Sequence, residues 1–89
     1  MTIICTIDEY YNRFVSTAES SGAPDELVTR IKEIYKSMMA DGVWKAPEQI
    51  RHHQYQVKVA MANAVLEYAK GDEPWCLALK EIFETYKLL

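Results

Sequence analysis

From Pro47 to Gly71 no glycine or proline interrupts the chain, and apolar residues recur there on more than one side of a helical wheel. At about 100° per residue, Ile50, His53, Val57, Met61, Ala64, Val65 and Tyr68 fall on one face. Tyr55, Val59, Ala62, Leu66 and Ala69 fall on a second, and His52, Gln56, Asn63, Glu67 and Lys70 share a narrow polar stripe. A helix greasy over so much of its circumference needs neighbours on two sides. Such an element selects a helical fold, with the long helix covered by other helices, by a second copy of the chain, or by both.

The remaining segments carry the same periodicity, punctuated by turn residues. Thr6-Ile7-Asp8-Glu9 has the spacing of a capping box, in which the Thr hydroxyl accepts from the Glu9 amide and the Glu9 carboxylate reaches back. Ile7, Tyr10, Tyr11, Phe14 and Ala18 follow at helical steps until Ser20-Ser21-Gly22 ends the run. Pro24 opens a second helix with Asp25 and Glu26 at its positive end, and Leu27, Ile31, Ile34 and Met38 form its stripe. Gly42 stops it, and the loop Val43-Trp44-Lys45 leads to Pro47. Gly71-Asp72 ends the third helix. Pro74 starts a fourth, with Trp75, Leu79, Ile82, Phe83 and Tyr86 inward. The expected fold is therefore all-α. It is a compact antiparallel bundle of four helices (about 7–21, 24–41, 47–70 and 74–88), with the third central, in a single helical domain spanning 1–89.

Charge and cysteine usage narrow the function classes. Ten basic against thirteen acidic side chains leave a net charge of −3, which does not draw phosphate backbones from a distance, so nucleic acid is not the expected partner. The one locally basic segment, residues 43–70, holds Lys45, Arg51, Lys58 and Lys70 against Glu48 and Glu67. Two cysteines, Cys5 and Cys76, no basic leader and no long apolar run fit a cytoplasmic protein without a membrane span.

No motif marks an enzyme. His52 and His53 are adjacent and point about 100° apart on a helix, so they do not chelate one metal together. The cysteines show no metal-ligand spacing. Nucleophile-elbow, phosphate-loop and dinucleotide fingerprints are absent. The acidic pairs Asp8-Glu9, Asp25-Glu26 and Asp72-Glu73 all sit at helix starts, where capping and dipole effects account for them. No cofactor and no metal are expected.

Binding is the stronger expectation. Six Tyr and two Trp are a heavy aromatic load for 89 residues, and such residues are enriched at interface centres. Val59, Ala62 and Leu66 are the expected oligomer seam. Arg51, Tyr55 and Lys58, close after Trp44, set two cations about an aromatic ring. That arrangement suits a small planar anion such as a nucleotide. The plainer alternative is a solvated basic edge with a Tyr packed at its end, since no Gly-rich phosphate loop accompanies it. Tyr11 and Arg13, with Tyr10 and Asn12, offer a comparable set on the first helix, although Tyr10 and Tyr11 also read as core. The leading expectation is a small non-enzymatic protein-binding module. It would be a self-associating regulator or inhibitor, of the immunity or counter-defence kind, that occupies a partner's surface. The alternative is an oligomeric binder that sequesters a small anionic ligand.

Overall fold

A computed structural model describes residues 2–40 and 47–88. The element order is β1 (Ile3–Cys5), α1 (Ile7–Ser20), α2 (Asp25–Ala40), α3 (Pro47–Tyr68), α4 (Pro74–Thr85) and β2 (Tyr86–Leu88). Helices α1 and α3 each pack against both α2 and α4, giving a globule with a Cα radius of gyration of 12.9 Å.

Local chemistry accounts for the helix ends. The capping box forms as its sequence dictates: the Glu9 amide donates to Thr6 Oγ1 at 3.1 Å, and the Thr6 amide donates to Glu9 Oε1 at 3.2 Å. At the other end of α1, Gly22 adopts φ 85°, where a Cβ would be strained. This lets the Ala23 amide fold back onto the Ala18 carbonyl at 2.9 Å, the long bond of a Schellman-type closure. At the start of α2 the Pro24 carbonyl accepts from the Leu27 and Val28 amides at 3.0 and 3.1 Å. Glu73 is the N-cap of α4, and Pro74 occupies the first turn, where its missing N–H leaves no bond unmade. The Glu73 carboxylate also accepts from Trp75 Nε1–H at 2.9 Å and from the Lys70 amide at 3.1 Å. One side chain thereby joins the end of α3 to the start of α4. Those two donors, the indole first, hold the Glu73 carboxyl below the usual carboxylate range.

The core draws on every element except β2, with Tyr10, Phe14, Leu27, Ile31, Val57, Met61 and Leu79 almost wholly buried. Tyr10 and Phe14 stack with ring centroids 5.8 Å apart. Among the described residues, the Tyr10 hydroxyl is the one buried side-chain polar atom without a hydrogen-bond partner.

The all-α expectation needs a correction at both ends of the chain. Helix α4 was expected to run to 88 but stops at Thr85, and Tyr86–Leu88 pairs in parallel with Ile3–Cys5. The register sets Ile3 against Tyr86, Ile4 against Lys87 and Cys5 against Leu88. Tyr86 is the pivot. Its amide still donates to Ile82 O as the last helical bond, while its φ of −92° and ψ of 126° turn the chain into an extended path. Its carbonyl then accepts from Lys58 Nζ at 2.9 Å. The expected end of α2 at 41 lies outside the described residues; α2 begins at Asp25 and α3 ends at Tyr68. These shifts of one or two residues are of the size that frayed ends produce.

Candidate functional site

The long helix α3 has two apolar faces with different fates. Val57, Met61, Ala64 and Val65 are buried in the core. His53, also buried, places Nε2 2.7 Å from the Met38 carbonyl on α2, while His52 stays exposed beside Gln56. The other face is left open. Tyr55 is 57% exposed and Leu66 70% exposed, and Val59, Ala62 and Ala69 are half-buried. The positions 55, 59, 62, 66 and 69 alternate steps of four and three, the spacing of a seam that packs along another helix.

Helix α4 supplies the second wall. Between the two helices runs an apolar groove of about 690 Å³. Val59, Ala62, Leu66 and Ala69 line it from α3, and Cys76, Leu77 and Phe83 from α4. Phe14 and Leu79 reach it from the core, and Asn63, Asp72, Lys80 and Glu84 add the polar groups. Leu77 is 51% exposed, so each wall carries one large leucine facing water. Cys76 is a half-buried free thiol.

All three residues expected at an oligomer seam, Val59, Ala62 and Leu66, therefore meet in one groove. The partners on α4 escaped sequence reading. Phe83 read as core, and Leu77 stands on the charged outer side with Lys80 and Glu84 at positions three and seven further on. A lone leucine in that stripe was the available signal.

The expected anion-binding set does not assemble. Arg51 and Tyr55 are exposed and one turn apart, but Lys58 is only 4% exposed. Its ammonium donates to Tyr86 O and lies 4.7 Å from the Phe83 ring centroid and 5.3 Å from that of Tyr10. Burial, and secondarily the charge of Lys87, lowers its pKa from the ordinary 10.5. The reason is the reach of its stem. Lys58 stands beside Val57 and three residues before Met61, so its stem runs along the core and its head stops at the β2 carbonyl. Lys58 is thus neither a ligand-binding cation beside Arg51 nor part of a solvated edge.

Trp44 lies outside the described residues. Tyr11 is half-buried and stacks on Tyr35 of α2 with centroids 3.8 Å apart, and the Tyr35 hydroxyl donates to Asp8 Oδ1. Tyr11 thus joins α1 to α2, with burial raising its pKa. It does not form a pair with Arg13, which is exposed. Among the described residues, no three His, Cys, Asp or Glu side chains are grouped so as to hold a metal. None of the described helices is long and apolar enough to cross a membrane.

No protein-family model, no curated protein and no solved structure matches this chain.

Proposed function

We propose that this protein is a small, non-enzymatic, protein-binding module whose α3–α4 groove receives a helix of its partner. One observation carries the reading: Leu66 and Leu77 face water on opposite walls of a single groove, 70% and 51% exposed. Scattered exposed leucines need no explanation, but two flanking one apolar depression mark a contact site. Full burial of a leucine is worth about 1.5–3 kcal/mol. Covering what remains exposed would therefore yield roughly 1–2 kcal/mol at Leu66 and about 1 kcal/mol at Leu77.

The four-and-three spacing of Tyr55, Val59, Ala62, Leu66 and Ala69 supports a helical rather than an extended occupant. The short links between α1 and α2 and between α3 and α4 support an antiparallel bundle. In that arrangement α3 is central in one sense: its two faces serve the core and the partner. The protein acts in this proposal as a cytoplasmic regulator or inhibitor that occupies a partner's surface. The groove is lined mainly by carbon, which suits packing better than bond-making chemistry.

The test is affinity capture with the intact protein, its Leu66→Asp/Leu77→Asp variant, and a Lys36→Ala control on α2. The reading requires at least one bound protein, whether another copy or a different chain, that the wild type and the control retain and the double variant loses. Equal retention by all three, with circular dichroism showing the double variant folded, refutes it.

A further inference from the structure

We infer that Tyr86–Leu88 is a two-state strap, a strand against β1 in one state and a further turn of α4 in the other. This stands apart from what the α3–α4 groove receives. Its first support is the way α4 ends. Helix α1 closes with Gly22 at φ 85°, where the Ala23 amide folds back on the Ala18 carbonyl. Positions 75–88 hold neither glycine nor proline, so no local signal stops α4 at Thr85. Tyr86 keeps its helical amide bond to Ile82 O, and its φ of −92° departs little from a helical value. Turning its ψ from 126° to about −42° lets the helix resume. Lys87 and Leu88, the residues that follow, are good helix formers.

The second support is how little holds the strand. β2 pairs with β1 alone, over three residues and in parallel, the weaker ladder per residue. Beyond that ladder it has the Lys58 ammonium donating to Tyr86 O and the half-buried Tyr86 and Leu88 packed on the core. In the helical state, bonds from the Lys87 and Leu88 amides to the Phe83 and Glu84 carbonyls replace the ladder. Local preference and long-range pairing thus pull the same three residues two ways. Such a conflict is what a bistable element requires.

Cys5 reports which state is present. It is 5% exposed and stands opposite Leu88 in the ladder. Withdrawal of β2 bares its thiol while the helices stay folded, an opening smaller than global unfolding.

The experiment is alkylation of Cys5 by iodoacetamide in the folded full chain, on a Cys76→Ser background that leaves one thiol. Cα carbon chemical shifts of residues 86–88 are read in parallel. Labelling is expected at least about tenfold faster than the global stability of the same protein in urea permits, and nearly flat in urea below the transition. Leu88→Ala removes half-buried methyl groups and should speed labelling about fivefold or more. Its Tyr86 and Lys87 shifts should move toward helical values. Lys87→Val, at an exposed position, favours strand over helix and should slow labelling about threefold. Its shifts should move further toward strand values, and it carries the test alone should Leu88→Ala not fold.

Labelling that only tracks global unfolding overturns the inference, as does an unchanged rate in either folded variant. Faster labelling in Leu88→Ala with shifts moving to coil rather than helical values shows a frayed segment with no second structured state, and overturns it too.

Discussion

Replacing Lys58 by Met tests what the buried ammonium contributes. It makes one hydrogen bond, to Tyr86 O at 2.9 Å, and two ring contacts, to Phe83 and Tyr10. A hydrogen bond from a charged donor is worth about 1.5–3 kcal/mol, and cation–π contacts about 0.5–2 kcal/mol. Against these stands the cost of taking an ammonium out of water, several kcal/mol. The pKa of Lys58 is lowered, with burial the leading cause, so burial is a burden on the charge that the carbonyl bond and the ring contacts work against. Met keeps the apolar stem and removes that burden, but it leaves the Tyr86 carbonyl without its donor, at about 1–3 kcal/mol. The expected net change at neutral pH is within about 1 kcal/mol. Lys58→Ala also loses stem methylenes at about 0.8 kcal/mol each, and should be about 2 kcal/mol worse than Met.

The pH dependence gives a second reading of the same quantity. Between the lowered folded pKa of Lys58 and its ordinary 10.5, the unfolded chain holds a proton that the folded chain has released. Stability from this group therefore rises with pH across that window and is flat below it. Urea unfolding followed by circular dichroism, from neutral into mildly alkaline buffer, should show the wild type gaining on Lys58→Met. Taking the difference between the two also cancels most of the contribution from Cys5, whose thiol is pushed above 9.0, chiefly by burial. A loss above about 3 kcal/mol in Lys58→Met, or no gain of wild type over variant with pH, refutes the reasoning.

Thr6→Ala removes one half of the reciprocal bond with Glu9 and should cost about 1 kcal/mol in chemical denaturation; no loss would mean the cap contributes nothing in this context. Tyr10→Phe deletes the buried, unpartnered hydroxyl and should leave stability unchanged or raise it by up to about 1 kcal/mol. Burial raises the pKa of Tyr10 from its ordinary 10.0, so above that value the unfolded phenol ionises while the folded one resists, and stability falls as pH rises. Alkaline unfolding monitored by tyrosinate absorbance should show that fall in the wild type and a shallower one in Tyr10→Phe.

The helices were legible because their signals are local. The Thr6–Glu9 pair, Gly22, Pro24 and Pro74 sit within a turn of the boundaries they mark. The open seam on α3 was legible for the same reason, since positions 59, 62 and 66 lie on one wheel. The β1–β2 pair was not. Three-residue strands carry almost no periodicity, and Tyr86, at a helical step from Ile82 and Phe83, reads as one more inward residue of α4. Its conversion to a strand depends on Ile3–Cys5 at the other end of the chain. Lys58 failed for a related reason: a wheel assigns a direction to Cβ but not to a head group at the end of a long stem. The α3–α4 groove was half legible. Its α3 wall follows from spacing, whereas Leu77 gained its meaning only when α4 was set beside Ala69 and Leu66.

The parallel pairing of Ile3–Cys5 with Tyr86–Leu88 has a consequence for biosynthesis. A ribosome releases these two strands at different times, with all four helices made between them. While the polypeptide is still being made, Cys5 has no strand to lie against and Lys58 no carbonyl to hold, whatever the helices have already done. Closing so large a loop also carries an entropic cost that grows with the logarithm of its length. The pairing thus waits on the arrival of Tyr86–Leu88, and a nascent chain stalled short of it would leave the Cys5 sulfur open to thiol reagents.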